Sequence, residues 1–205
     1  MAPTTGKPTL PRQRRGGGKL KLVSASAKPA AGPARGHGVA TPSTRSVQEP
    51  AEIDYGRGTT FNAYIQRVSR ATPMELVLTE RAGVHARLIK DLARHLDIPA
   101  SRLFAILGVA KATAEKKVAA DEIIAGQGGQ AVIGMVRLLG IAQDMAAGST
   151  ADEAKDFDAA KWLGRWIDLP QPSLGGRKPA ELLDTPTGVE IVARLLGAIE
   201  SGAYL

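Results

Sequence analysis

The sequence predicts an all-α protein, and three observations support that fold class. The chain has 205 residues, and in several segments apolar residues recur at the spacing of one helix face. No segment alternates apolar and polar residues over a length that would form a reliable strand. Aromatic residues make up only 4% of the chain, which disfavours a large sandwich or barrel. We therefore expect a helical core.

The net charge of +7 is concentrated in the first quarter of the chain. Residues 1–50 carry nine basic side chains and one acidic side chain, whereas residues 51–205 carry 18 basic and 19 acidic ones. Residues 1–50 also contain seven glycines, seven prolines and no aromatic residue. Such a segment cannot bury enough apolar surface to offset the entropy of ordering, so we interpret it as a disordered basic arm. It is either a solvated tail or an arm that adds phosphate contacts beside a DNA-binding unit.

Composition divides the remaining chain into three parts. Residues 51–72 are interpreted as a transition segment, residues 73–148 as a helical domain, and residues 149–205 as a small helical C-terminal domain. The last boundary is placed after Gly148, which ends a long apolar segment.

Two helices are predicted at the start of the helical domain. Thr72, Pro73 and Glu75 form the pattern of a capping box with proline in the first turn, and Gly83 ends this helix. The second helix starts near Val84 and cannot continue through Pro99. Its apolar face consists of Leu88, Ile89, Leu92 and Leu96.

Residues 100–120 have the spacing of a helix-turn-helix. A helix at 100–107 is followed by a turn at Gly108 and a second helix at 111–120. In this motif the second helix enters the major groove of DNA and its early residues meet the bases. The candidate DNA-binding residues are Lys111, Thr113, Lys116 and Lys117. The alternative is a pair of packed helices with a solvated lysine pair.

A central helix is predicted at 130–147, after a glycine-rich segment at 121–129 that favours no regular element. This helix is apolar around much of its circumference, so we expect it to be buried. Uninterrupted apolar runs stay far below the length of a membrane span. We therefore expect a cytoplasmic protein with no membrane partner.

The C-terminal domain is predicted to contain three helices. The first begins at a capping-box pattern at Thr150, and its inward side chains are Phe157, Leu163, Trp166 and Ile167. A loop rich in proline and glycine follows, and then a short helix at 178–183. Thr185 caps the last helix and Pro186 occupies its first turn. Its apolar face consists of Val189, Val192, Leu196 and Ile199.

The sequence offers no pattern typical of a catalytic or metal site. The absence of cysteine excludes disulfides, thiolate ligands and thiol nucleophiles. His85 and His95 are ten positions apart, which on one helix separates them by about 15 Å, too far to share a metal. No nucleophile elbow, phosphate loop or paired-carboxylate motif occurs. We expect no enzyme activity, no metal and no cofactor.

The C-terminal residues resemble a known family. Its pattern combines a tryptophan–leucine pair, a leucine–glycine–glycine loop, a short proline-led helix and a glycine- and tyrosine-containing terminus. The matching segments are Trp162-Leu163, Pro172 to Thr185, Gly188 and Ile199 to Tyr204. They are similar to the C-terminal domain of Xre/MbcA/ParS-type antitoxins. The likeness extends from about residue 73 to the end of the chain and is strongest after Trp162. Gln171 stands where asparagine is common.

The resemblance implies an antitoxin of a type II toxin–antitoxin system. Its partner would be a RES-domain toxin, which consumes NAD, and the C-terminal domain would cover the toxin's active-site cleft. The helix-turn-helix would form a homodimer and bind operator DNA to regulate its own operon. The implied toxin-binding residues are Leu174, Gly175, Gly176, Arg177, Lys178, Ile199, Glu200, Gly202, Tyr204 and Leu205.

Two other interpretations remain open. One is a stand-alone helix-turn-helix transcriptional regulator whose C-terminal domain only oligomerises. The other is a structural protein that associates with RNA or the chromosome through its basic arm.

Overall fold

A computed structural model describes residues 49–148 and 157–202. The basic arm, the capping-box pattern at Thr150, and the terminal residues Tyr204 and Leu205 lie outside the described residues, apart from the last two positions of the arm. Within the described residues the protein is helical apart from one two-stranded sheet, which confirms the all-α fold class. The helices are α1 (Phe61–Ser69), α2 (Pro73–Ala82), α3 (Arg87–Leu96), α4 (Ala100–Ile106), α5 (Lys111–Ala120), α6 (Gly126–Gly148), α7 (Ala159–Trp166) and α8 (Pro186–Glu200).

Helix α6 is the centre of the fold and packs against α1, α2, α7 and α8. Two of its glycines allow neighbouring helices to approach closely. A Cβ on Gly134 would lie 2.6 Å from Cγ2 of Val189 in α8, and a Cβ on Gly140 would collide with Ser69 of α1. By length and composition α6 would suffice to cross a membrane, but most of its central residues are buried inside the protein, as in a core helix.

The predicted helix starts at Thr72 and Thr185 are confirmed. The Thr72 hydroxyl accepts the Glu75 N–H at 3.3 Å, and the Glu75 carboxylate accepts the Thr72 N–H at 2.7 Å. At the start of α8 the Thr185 hydroxyl accepts the Gly188 N–H at 3.1 Å. Each cap satisfies an amide that the helix leaves without a partner.

The segment 51–72 contains a helix that was not predicted from the sequence. Thr60 caps α1, whose inner face is buried against α6. The preceding Tyr55 is also buried, and its hydroxyl donates to the Asp91 carboxylate at 2.8 Å. Burial, reinforced by that hydrogen bond, raises the pKa of Tyr55 to about 12. The segment therefore contributes to the core.

The helix predicted from Val84 starts later, at Arg87. Val84–His85 is strand β1, which pairs antiparallel with strand β2, Ile123–Ile124. Gly83 has φ +84°, a conformation that turns the chain out of α2 and into β1. His85 therefore lies on a strand, and its placement on one helix with His95 was wrong.

Two of the three predicted C-terminal helices differ from the structure, whereas α8 agrees with the prediction. Helix α7 begins at Ala159, where the Asp158 carboxylate caps it by accepting the Lys161 N–H at 3.0 Å. This hydrogen bond lowers the pKa of Asp158. Phe157 precedes the helix and is 42% exposed, so its inward placement was wrong. The helix predicted at 178–183 is a single 3-10 turn, Pro179–Glu181.

Contacts cross the predicted boundary near residue 148. Helix α7 packs on α3 so closely that a Cβ on Gly164 would collide with the Leu96 carbonyl. The Arg102 guanidinium on α4 also lies 2.7 Å from the Asp168 carboxylate. The division into units at 73–148 and 149–205 remains a prediction.

Candidate functional site

The loop that follows α7 is held together by hydrogen bonds to the backbone N–H and carbonyl of Gln171. The Gln171 N–H donates to the Arg177 carbonyl at 3.0 Å, while its carbonyl accepts from Leu174 N–H and Gly176 N–H, both at 3.0 Å. The Gln171 side chain is buried, and its amide donates to the Leu169 carbonyl at 3.1 Å. We call residues 171–177 the Gln171 loop. Its backbone is fixed from within.

The two glycines of the Gln171 loop are exposed and have positive φ, +64° at Gly175 and +80° at Gly176. A side chain rarely adopts this conformation, so the turn favours glycine. Apart from the glycine itself and its chain neighbours, no described atom lies within 4 Å of the position a Cβ would take at either residue. The loop thus presents bare backbone to the surroundings.

The residues flanking these glycines differ in exposure. Arg177 is exposed, while Leu174 is half-buried and packs against the hydrophobic core. Lys178 is half-buried and begins the 3-10 turn. Leu174 therefore anchors the loop, and Arg177 is its accessible cation.

The end of α8 supplies the other predicted binding residues within the described part of the chain. Ile199 packs partly against the core, whereas Glu200 is exposed. Gly202 has φ +69° and donates its N–H to the Ile199 carbonyl at 3.2 Å, which turns the chain after the helix. Tyr204 and Leu205 lie outside the described residues.

The start of α8 is fixed by a contact that leaves no room for a side chain. A Cβ on Gly188 would collide with the Leu182 carbonyl, which also accepts the Thr185 hydroxyl at 3.2 Å. The adjacent Asp184 carbonyl accepts the Gln127 side-chain amide at 3.1 Å. These contacts tie α8 to the start of α6.

A row of three aromatic rings, Phe157 before α7 and Trp162 and Trp166 on it, was not among the predicted binding residues. The ring of Trp162 stacks on Trp166 with centroids 5.7 Å apart and lies 6.0 Å from the exposed ring of Phe157. The spacing of the two tryptophans along a helix was a visible signal, but it equally fits a buried helix face. Trp166 is indeed buried.

The predicted helix-turn-helix region contains two helices, α4 and α5, joined by a turn in which Gly108 has φ +65°. Ala114 and Val118 are the buried residues of α5. Thr113 and Lys116 are exposed on its outer surface. The fold does not test DNA binding, which stays a prediction.

Two of the candidate DNA-binding lysines of α5 have local partners. Lys111 lies 3.8 Å from the Glu115 carboxylate, an exposed pair one helical turn apart. The Lys117 ammonium donates to the Ile123 carbonyl at 2.6 Å, so it closes the connection between α5 and β2. Lys116 and Thr113 are therefore the more available side chains.

Comparison with known proteins identifies residues 157–202 as an antitoxin module, matching the Antitoxin Xre/MbcA/ParS C-terminal toxin-binding domain. The match contains the Gln171 loop and α8. A relative from Sphingobium sp. (strain YBL2), named Prs ADP-ribosylating antitoxin, is 35% identical over 149 residues, which cover 73% of this chain and 92% of the relative. The chain belongs to the Xre/MbcA/ParS antitoxin family, as the resemblance implied. Its C-terminal domain binds a toxin.

Proposed function

We propose that this antitoxin neutralises a RES-domain toxin by laying the Gln171 loop and the end of α8 over the toxin's active-site cleft. The observation that supports the proposal is an internally hydrogen-bonded loop whose two central glycines expose bare backbone. Backbone without side chains can approach the walls of a cleft closely. Because the loop is hydrogen-bonded before binding, little ordering entropy is lost on association.

The proposed toxin consumes NAD. The name of the Sphingobium relative refers to ADP-ribosylation, a reaction that uses NAD. Arg177 projects from the Gln171 loop as an exposed cation. A guanidinium suits a site built for the phosphates of NAD, so Arg177 would compete with the substrate for anionic contacts.

The test is binding of a purified RES-domain toxin from the same operon. Arg177→Glu should weaken binding at least tenfold and restore NAD turnover, without changing the unfolding midpoint. The matched control is Arg165→Glu, which reverses an exposed charge on α7. If Arg177→Glu and Arg165→Glu weaken toxin binding equally, the Gln171 loop is not the toxin-binding surface.

A truncation tests the end of the chain. A deletion of residues 195–205 would remove all of the predicted binding residues at the end of α8, but it would also remove the buried Leu195 and Leu196 and disturb the core. Removing residues 203–205 avoids this problem and deletes Tyr204 and Leu205. We expect the shortened protein to bind operator DNA but to lose toxin neutralisation. Full protection of cells by the shortened protein would exclude these residues from the inhibitory surface.

We further propose that the protein acts in the cytoplasm as a homodimer and represses its own operon through α5. Lys116→Ala combined with Thr113→Ala should weaken operator binding in gel-shift titrations at physiological salt. Lys90→Ala, an exposed lysine of α3, serves as the control. Unchanged affinity of the double variant would reject α5 as the recognition helix.

The basic arm is proposed to add phosphate contacts to this complex. Deleting residues 1–48 should then lower the slope of log affinity against log salt by roughly 0.9 for each DNA phosphate that the arm neutralises. An unchanged slope would leave the arm as a solvated tail.

A further inference from the structure

The Gln171 loop belongs to a longer segment without an α-helix, residues 168–184, which connects α7 to α8. The hydrogen bonds to Gln171 close the loop itself, and the Ala180 N–H donates to the Ile167 carbonyl at 2.9 Å across the base of the segment. None of these bonds reaches α8. The position of the loop relative to α8 therefore depends on contacts at the two ends of the segment.

The first end of the segment is held by α4. The Arg102 guanidinium donates to the Asp168 carboxylate at 2.7 Å, across 66 positions of sequence. Arg102 lies in the first turn of α4, and the next two residues, Leu103 and Phe104, are buried in the core. The guanidinium therefore projects from a fixed element, and it holds the chain shortly before the Gln171 loop begins.

The second end of the segment is held by α6 and by the turn between α4 and α5. The Gln127 side-chain amide donates to the Asp184 carbonyl at 3.1 Å. A Cβ on Gly108 would lie 3.2 Å from the Cβ of Asp184, so the turn also lies against this residue. Thr185, the cap of α8, follows directly. Both contacts therefore fix the point at which the segment enters α8.

Arg102, Gly108 and Gln127 all precede residue 157, where the matched toxin-binding domain begins. The contacts at both ends thus come from outside that domain. We propose that Arg102 and Gln127 are positioning residues for toxin binding, because they set the place of the Gln171 loop relative to the end of α8. We call these two residues the loop clamp. The inference rests on the proposed function, in which the toxin contacts both surfaces.

The loop clamp acts through the spacing of two surfaces. A toxin that contacts both the Gln171 loop and the end of α8 binds only molecules in which the two surfaces are correctly spaced. Release of either end of the segment allows other positions of the loop, and the apparent affinity falls with the fraction of molecules that remain competent to bind. Ordering the segment during binding would also cost entropy that the loop clamp removes beforehand.

The first test needs no toxin and measures how fast trypsin cuts the full chain after Arg177, with the products identified by mass spectrometry. Arg102→Ala combined with Gln127→Ala should accelerate this cut about tenfold, because a surface ion pair and a hydrogen bond are both weak. The matched control is Arg137→Ala, which removes a 2.9 Å ion pair to Glu190 between α6 and α8 and should leave the rate unchanged. Thermal melts check that all variants remain folded.

The second test is titration of the same variants with the purified toxin. The double variant should weaken binding by roughly threefold or more, a smaller change than in the cleavage rate, because many molecules still keep the loop in place. Arg137→Ala should bind as the natural chain does. Arg102→Asp should also weaken binding, and adding Asp168→Arg should restore both the affinity and the resistance to trypsin, because the exchanged charges form the ion pair again.

Several outcomes would overturn the inference. An unchanged cut after Arg177 in the double variant, or an equal acceleration in Arg137→Ala, would refute the loop clamp without reference to the toxin. Weaker binding that the charge exchange does not restore would assign Arg102 to direct toxin contact. If the double variant binds toxin normally while Arg177→Glu does not, the positioning role fails and the proposed function stands. Normal binding by both would refute the two together.

Discussion

The glycines at the helix contacts and the glycines of the Gln171 loop are needed for different structural reasons. At Gly164 and Gly188 an added Cβ would collide with a backbone carbonyl of the same protein. At Gly175 and Gly176 there is open space, but φ is positive. The first pair allows the chain to pack against itself, and the second leaves backbone accessible to a partner. Substitutions should therefore separate stability from binding.

The largest effect is expected where α7 meets α3. Gly164→Ala would force the Leu96 carbonyl to move, and overpacking of this kind should lower the free energy of unfolding by about 3 kcal/mol. Urea unfolding measures the loss. If Gly164→Ala lowers the free energy of unfolding by less than Gly175→Ala does, the contact between Gly164 and the Leu96 carbonyl must relax. The helix contact and the Gln171 loop would then not differ in their need for glycine.

A smaller loss of stability is expected in the loop. Gly175→Ala places a side chain at φ +64° without a collision, so only the backbone strain of about 1–2 kcal/mol applies. The same substitution should weaken toxin binding, because a methyl group then projects from the exposed backbone. Urea unfolding and toxin titration of one preparation give both values. Unchanged binding would place this glycine outside the interface.

The Thr72 cap of α2 lies outside both the helix contacts and the Gln171 loop. It shows how much stability is lost when only a hydrogen bond is removed. Thr72→Ala should cost about 1 kcal/mol, because the Glu75 amide loses its acceptor. The Thr72 hydrogen bonds also lower the pKa of Glu75. Because the pKa of Glu75 is lower in the folded protein than in the unfolded chain, its ionised carboxylate stabilises the fold at pH values above the unfolded pKa. This stabilisation is lost as the pH falls through the folded pKa. The difference between variant and natural protein should therefore shrink in acid, which unfolding at several pH values would check.

The smallest effect should be a gain. Gly197 lies within α8 and has no positive φ, and no described atom beyond its chain neighbours and the nearby backbone of the helix lies within 4 Å of a Cβ position. Gly197→Ala should therefore raise the free energy of unfolding by about 0.7 kcal/mol through helix propensity. A thermal melt detects the shift. Destabilisation would imply a contact on this face that the fold does not reveal.

Local signals in the sequence predicted two of the helix starts, because a cap needs only residues within one turn. Thr72 and Thr185 were found in this way. The strand pair of Val84 and Ile124 was missed, since two-residue strands have no periodicity and depend on residues 40 positions apart. Phe157 was misplaced because its neighbours suggested a longer helix than α7.

The candidate site, like the fold, was predictable from the sequence only in part. Gly175 and Gly176 were identified from the family pattern, and their backbone conformation explains the residue type. The closing role of Gln171 was not predictable, because it depends on main-chain hydrogen bonds that any residue can form. The bond from Lys117 to the Ile123 carbonyl likewise required the folded course of the chain.

The Gln171 loop also affects how the protein meets proteases. The bond after Arg177 is exposed and chemically suited to trypsin, but proteases cleave segments that can extend into their clefts. Both the N–H and the carbonyl of Arg177 are hydrogen-bonded within the loop, at 3.4 and 3.0 Å. Cleavage here therefore requires prior opening of the loop, and its rate would report how often the folded antitoxin exposes that segment.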